Sequence, residues 1–172
     1  SLFQSPEDLR ALVVQALPAY RTSGESRVYA TGADTVPPAP EPYVAHPYVL
    51  LQTADLVGRG PALAQLTRWA VGPGEDPVLV VEAMGGMGKS ALVWNWFSDV
   101  MPLERTADGR MWWSFYEANA GYERFLEHAL AYTLGRPVAE VARWPKPDQE
   151  ARLLHALESR SFVVVLDGAE RL

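Results

Sequence analysis

Between the apolar run VLVVE (78–82) and the segment ALVWNWF (91–97) lies AMGGMGKS, Ala83 to Ser90. Its residue types suit the capture of an anion. Gly85, Gly86 and Gly88 bare the backbone so that several N–H groups can converge on one point. A helix beginning at Lys89 adds its positive end, the lysine supplies a cation with reach, and Ser90 offers a hydroxyl to Mg²⁺. Met87 and Ala91 complete the set whose backbone would surround bound phosphates. The spacing follows G-x-x-x-x-G-K-[ST] with one departure, Ala83 standing where the pattern has its first glycine. The competing reading is a glycine turn that only joins a strand to a helix.

Two further features favour the anion site. Thirteen of the fifteen basic residues are Arg, and only Lys89 and Lys146 depart from that habit. Lys146 lies in the proline-bracketed WPKPDQ, where a solvated charge suffices. Lys89 occupies the one place where this chemistry demands lysine. The second feature is Asp167, which ends the apolar run FVVVL (162–166) and can hold Mg²⁺ through water beside Ser90. Asp-Gly is also a common turn dipeptide; with the glycine loop present, the metal role is the stronger reading. Trp94, Trp96, Trp112, Trp113 and Phe115 could stack on a base, but their places in regular apolar elements assign them to the core.

The elements that position these residues alternate in type. Pro61 opens a helix with Leu63, Leu66 and Ala70 on one face. Pro77–Glu82 reads as a buried strand, and a helix is expected over 89–100, ending before Pro102. MWWSFY (111–116) is a second strand. Tyr122, Phe125, Leu126, Ala129, Leu130 and Thr133 mark an amphipathic helix closed by Gly135. A short helical turn over 138–144, a helix over 148–159 and the strand SFVVVLD complete the series. Alternating strands and helices predict an α/β fold with a parallel sheet. Upstream, Ser5, Pro6, Glu7 and Asp8 start a helix over 6–17. Residues 21–49 have the Gly, Ser and Pro content of a linker. The expected organisation is therefore 1–20 as the last helix of an upstream domain, 21–49 as linker, and 50–172 as the N-terminal part of an α/β domain.

Composition narrows the partners. The 172 residues are 48% hydrophobic with a net charge of −6, enough to bury a core and the wrong sign for a nucleic-acid surface. There is no cysteine, and His46, His128 and His155 are too scattered for a metal centre. No apolar run has the roughly 20 residues of a membrane span, and the N-terminus lacks a signal-peptide pattern, which points to a cytoplasmic protein with no membrane partner.

LVGR at 56–59, VLVVEAMGGMGKSALVWNWF at 78–97 and FVVVLDGAERL at 162–172 resemble the nucleotide-binding core of STAND-class P-loop NTPases, in the NB-ARC-like and NACHT-related group. YVAHPYVLLQTADLVGRG and GRMWWSFYEANAGYERFLEHALAY are similar to bacterial multidomain members, with an effector before the NTPase and helical repeats after it. The resemblance implies a three-layer P-loop NTPase fold that binds ATP or ADP with Mg²⁺ held by Ser90 and Asp167. It implies that Val57 and Arg59 lie near the adenine, where Gly58 lets the backbone approach the ring. It further implies an ATP/ADP switch in signalling or antiphage defence. Slow hydrolysis would control homo-oligomerisation and thereby an upstream effector, with a downstream sensor domain in the same chain.

In many such NTPases an acidic residue directly follows the magnesium aspartate; here that position is Gly168. Glu170 and Glu117 remain as candidates to orient the attacking water, each equally readable as a surface carboxylate. Without such a group the nucleotide acts as a clamp, and the alternative function is a non-catalytic adenine-nucleotide scaffold. A small-molecule phosphotransferase would need an Arg-rich lid that is not apparent between the strands. The family's sheet also places a later strand between the one before the glycine loop and the one ending at Asp167. That leaves these two about 10 Å apart and the sheet incomplete at the C-terminus. The sequence is accordingly expected to be an excerpt, and a poor nucleotide binder and hydrolase on its own.

Overall fold

The computed structural model describes residues 36–37, 39–45, 56–72, 77–101 and 107–172. The helix expected over 6–17, most of the linker and the start of the α/β region at 50 lie outside the described residues.

Three parallel strands form the sheet: β1 (Tyr43–Val44), β2 (Gly109–Ser114) and β3 (Phe162–Asp167), in the order β1-β2-β3. β2 pairs with β3 along its whole length, from Gly109 opposite Phe162 to Ser114 opposite Asp167. β1 pairs on the other side, Tyr43 opposite Met111 and Val44 opposite Trp112. The end of the proline-rich segment thus supplies an edge strand, where the sequence reads as linker. Both of its residues are buried, and Ala45 N–H continues the pairing by donating to the Trp112 carbonyl at 3.1 Å.

Alternation along each strand sends residues to opposite faces, so each face has its own core. On one face Met111, Trp113, Phe162, Val164 and Leu166 pack with α3 (Tyr122–Leu134), α4 (Val138–Val141) and α5 (Lys146–Ser159). On the other, Val44, Trp112, Val163 and Val165 meet α1 (Gly60–Val71) and α2 (Lys89–Asn95). Trp96, Trp112 and Trp113 are fully buried, as their places in apolar elements require. A Trp side chain buries on the order of 150–250 Å².

The helices follow the sequence closely. Pro61 starts α1, and Gly135 ends α3 in the left-handed conformation (φ 62°) that favours glycine. α5 begins two residues earlier than expected because Pro147 fits its first turn. α2 changes type: from Trp96 to Val100 the backbone is π-helical, with Met101 N–H bonding Trp96 O. Two contacts hold the wide turn. Arg110 donates to the Phe97 carbonyl at 2.9 Å, and Trp96 Nε1 donates to Thr67 Oγ1 at 3.1 Å. β2 ends at Ser114 rather than Tyr116: Phe115 N–H still donates to the Asp167 carbonyl at 2.8 Å, but the chain turns there, Phe115 packing on Phe125 of α3 and Tyr116 lying over Gly168.

The strand expected before the glycine loop does not form. Pro77–Glu82 forms no strand: it joins no ladder among the described residues, and Val78 and Val80 are 37% and 39% exposed. Leu79 and Val81 still pack against the α1–α2 face. The segment therefore has its apolar anchors but no neighbour for its backbone. β3 likewise lacks a described partner on its outer edge. No helix among the described residues is long and apolar enough to cross a membrane.

Candidate functional site

Ala83–Gly88 is exposed throughout and rises from the end of the unpaired segment. Gly86 and Gly88 have φ of 76° and 77°, a region that L side chains rarely enter, so glycine is required there by the backbone itself. A Cβ at Gly85, Gly86 or Gly88 would meet nothing within 4 Å, so nothing packs against these glycines. Gly88 forms the N-cap of α2 with no side-chain cap, and the first hydrogen bond into it runs from Leu92 N–H to Gly88 O. The N–H groups of Lys89, Ser90 and Ala91 thus have no intrahelical acceptor, as at any helix start.

Lys89 curls back over the loop, Nζ donating to the Ala83 carbonyl at 2.6 Å and the Met84 carbonyl at 3.4 Å. Its ammonium therefore stands over the cradle. Arg59 donates to the Met87 carbonyl at 2.8 Å, joining the LVGR turn directly to the glycine loop. Gly58, at φ 76°, makes that turn. Val57 is 90% exposed beside it, so Val57 and Arg59 stand at the rim of the loop rather than in the core.

Ser90 and Asp167 meet. Ser90 Oγ donates to Asp167 Oδ1 at 2.6 Å across 77 positions of sequence, which puts the hydroxyl of the loop and the carboxylate of β3 at one point. Ser114 Oγ, opposite Asp167 in the ladder, donates to Oδ2 at 3.3 Å. Burial pushes the Asp167 carboxyl above the usual aspartate range, while the two serine hydrogen bonds and the Lys89 charge act the other way. A half-buried carboxylate whose ionised form is disfavoured gains from a cation. The donors are hard oxygens, which fit Mg²⁺; such sites use one or two carboxylates with waters and phosphate oxygens. No group of three or more His, Asp or Glu that could hold a metal alone occurs among the described residues.

The two candidate water-orienting carboxylates separate. Glu117 is exposed in the turn after β2, and no hydrogen bond joins its side chain to Lys89, Ser90 or Asp167. Glu170 lies in a 3₁₀ turn (Ala169–Arg171) directly after Asp167 and Gly168, near enough for the Lys89 and Asp167 charges to act on it. Its carboxylate accepts the Tyr116 hydroxyl, which is the first reason that it titrates below the usual glutamate range. Sequence reasoning missed Ser114 and Tyr116. Ser114 had a signal, the one hydroxyl in the apolar run MWWSF (111–115); Tyr116 had none, because its role depends on a turn that brings it to Gly168.

The chain matches no family model, no curated protein and no solved structure.

Proposed function

We propose that this chain is the nucleotide-binding part of a P-loop NTPase of the STAND type, a three-layer fold in which ATP and ADP alternate as a switch. The observation that carries the reading is the Ser90–Asp167 hydrogen bond at 2.6 Å beside an open glycine loop. Any turn could present glycines, but a turn has no reason to bring a hydroxyl and a remote carboxylate together at a helix start under a lysine. In this reading the N–H groups of Gly85–Ala91 and the Lys89 ammonium bind the phosphates, and Ser90 and Asp167 hold Mg²⁺. Mg²⁺ would neutralise charge building up on the phosphate oxygens. Val57 and Arg59, at the rim, take the base end. The unpaired 77–82 segment and the open edge of β3 support a sheet that admits another strand between them.

The switch logic is energetic. A γ-phosphate can favour one conformation only by binding it better than the other. The exposed, single-layered attachment of the loop suits such a change. Gly168 in the position after Asp167 suits slow hydrolysis, and slow hydrolysis suits control of oligomerisation and of an adjacent effector in signalling or defence. The same observation favours, as the second reading, a scaffold that binds nucleotide without turnover.

Lys89→Ala tests the binding site. Alanine is the best helix former, so the melting temperature should stay within a degree or two while nucleotide affinity falls about 10- to 100-fold, the loss of a charge-assisted contact. Titration calorimetry in the full chain measures it. Equal affinity in parent and variant rejects the nucleotide site.

A further inference from the structure

The turn after Asp167 is held by a side chain from another strand's end. Gly168 has φ 75°, and a Cβ there would meet the Tyr116 ring at 2.8 Å, so the ring lies directly against the bare backbone. Arg171 covers the ring, its guanidinium carbon 4.5 Å from the ring centroid. The Tyr116 hydroxyl then donates to Glu170. Ring, glycine, guanidinium and carboxylate form one clamp at the C-terminal ends of β2 and β3, the end at which open parallel sheets bind ligands. A tyrosine that is 46% exposed has little hydrophobic reason to be there. The clamp fixes where the Glu170 carboxylate points, three residues after Asp167 in the 3₁₀ turn that closes β3.

We propose that Tyr116 is a positioning residue that holds Glu170 as the water-orienting carboxylate of the site, in place of an acidic residue directly after Asp167. The inference rests on the nucleotide reading above. The reaction is attack of water on the γ-phosphorus of ATP. A bond forms from the water oxygen to phosphorus. The bond from phosphorus to the β,γ-bridging oxygen breaks, and its electron pair leaves on ADP. The Glu170 carboxylate accepts one water proton late in the transfer and passes it to the phosphate product. The Tyr116 hydroxyl occupies one carboxylate oxygen and leaves the other for water.

The test compares Tyr116→Phe, Glu170→Gln and the double variant in the full chain. Phenylalanine keeps the ring against Gly168 and under Arg171 and removes only the hydroxyl. The expected result is a kcat lower by about 10- to 100-fold in Tyr116→Phe, with KM and Mg-ATP affinity within about twofold of the parent. Glu170→Gln should lose at least as much, and the double variant should be no slower than Glu170→Gln alone, because the hydroxyl acts only through that carboxylate. Without nucleotide, amide exchange over 168–171 should quicken in Tyr116→Phe. An unchanged kcat in Tyr116→Phe, a double variant slower by the product of both factors, or unchanged exchange overturns the proposal. A parent that binds Mg-ATP without turning it over also overturns it and leaves the binding site standing; a parent that binds no nucleotide overturns both.

Discussion

VLVVE at 78–82 and FVVVL at 162–166 are nearly the same text, yet one is a strand and the other is not. β3 pairs with β2 at six consecutive positions, and its residues from Phe162 to Leu166 are buried. The 78–82 run keeps Leu79 and Val81 against the α1–α2 face and leaves Val78 and Val80 more than a third exposed. β-propensity expresses how well a side chain fits a pleated, half-buried surface, and it cannot supply the ladder that makes the surface. A strand needs a neighbour; an apolar run only makes it welcome. The consequence is functional, since the glycine loop is tethered to the weaker of the two runs and Asp167 to the stronger.

The sharpest way to break the comparison is to put the same charge in both runs. Val163→Asp buries an unpaired carboxylate at a fully buried position of β3, and should cost several kcal/mol and abolish cooperative melting. Val80→Asp, at a position 39% exposed, should cost less than about 1 kcal/mol. Similar losses in denaturant titrations would mean that the two runs are equally structured.

A smaller effect probes the start of the β2–β3 ladder. A Cβ at Gly109 would meet Tyr132 Oη at 2.7 Å and Phe162 Cε1 at 2.8 Å. That hydroxyl accepts from Arg110 N–H at 2.7 Å and donates to the Glu41 carbonyl, tying the proline-rich segment to the sheet. Burial pushes the Tyr132 phenol well above the ordinary tyrosine value, so it remains a donor at any working pH. Gly109→Ala should therefore cost about 1–3 kcal/mol through overpacking and speed amide exchange at 43–45. A neutral result would show that the segment yields easily and that β1 is only loosely attached.

The smallest effect on stability, with the largest on metal dependence, concerns Asp167, where the firm run touches the loop. Its folded pKa is raised, so the stability it contributes is fully present below the ordinary aspartate pKa and is lost as pH rises through the folded value. Asp167→Asn should remove that loss. Without nucleotide the variant should melt slightly above the parent at neutral pH and lack the parent's fall across that window. Mg²⁺-dependent ATP binding should weaken far more than Mg²⁺-free ADP binding. A variant that melts lower than the parent at neutral pH would show that the hydrogen bonds from Ser90 and Ser114 outweigh the burial penalty.

Much of this protein could be read from its residues alone. Helix starts and stops are local matters of proline, glycine and apolar spacing, which is why α1 and α3 lie where the sequence puts them. The glycine spacing of the loop and a lysine in a chain that prefers Arg could be seen in the residues, whereas the positive φ of Gly86 and Gly88 appears only in the structure. Partnership was not legible. Tyr43–Val44 reads as linker because two residues carry no periodicity, and only pairing with Met111 and Trp112 makes them a strand. Residues 77–82 have the periodicity and find no partner among the described residues. Ser114 faces Asp167 because of the β2–β3 register, and Tyr116 reaches Glu170 because Gly168 turns the chain beneath its ring. Local sequence determines backbone preference over a few residues. Which side chains from distant segments converge depends on register and closure, and these are decided only when the whole sheet assembles and excludes water from both of its faces.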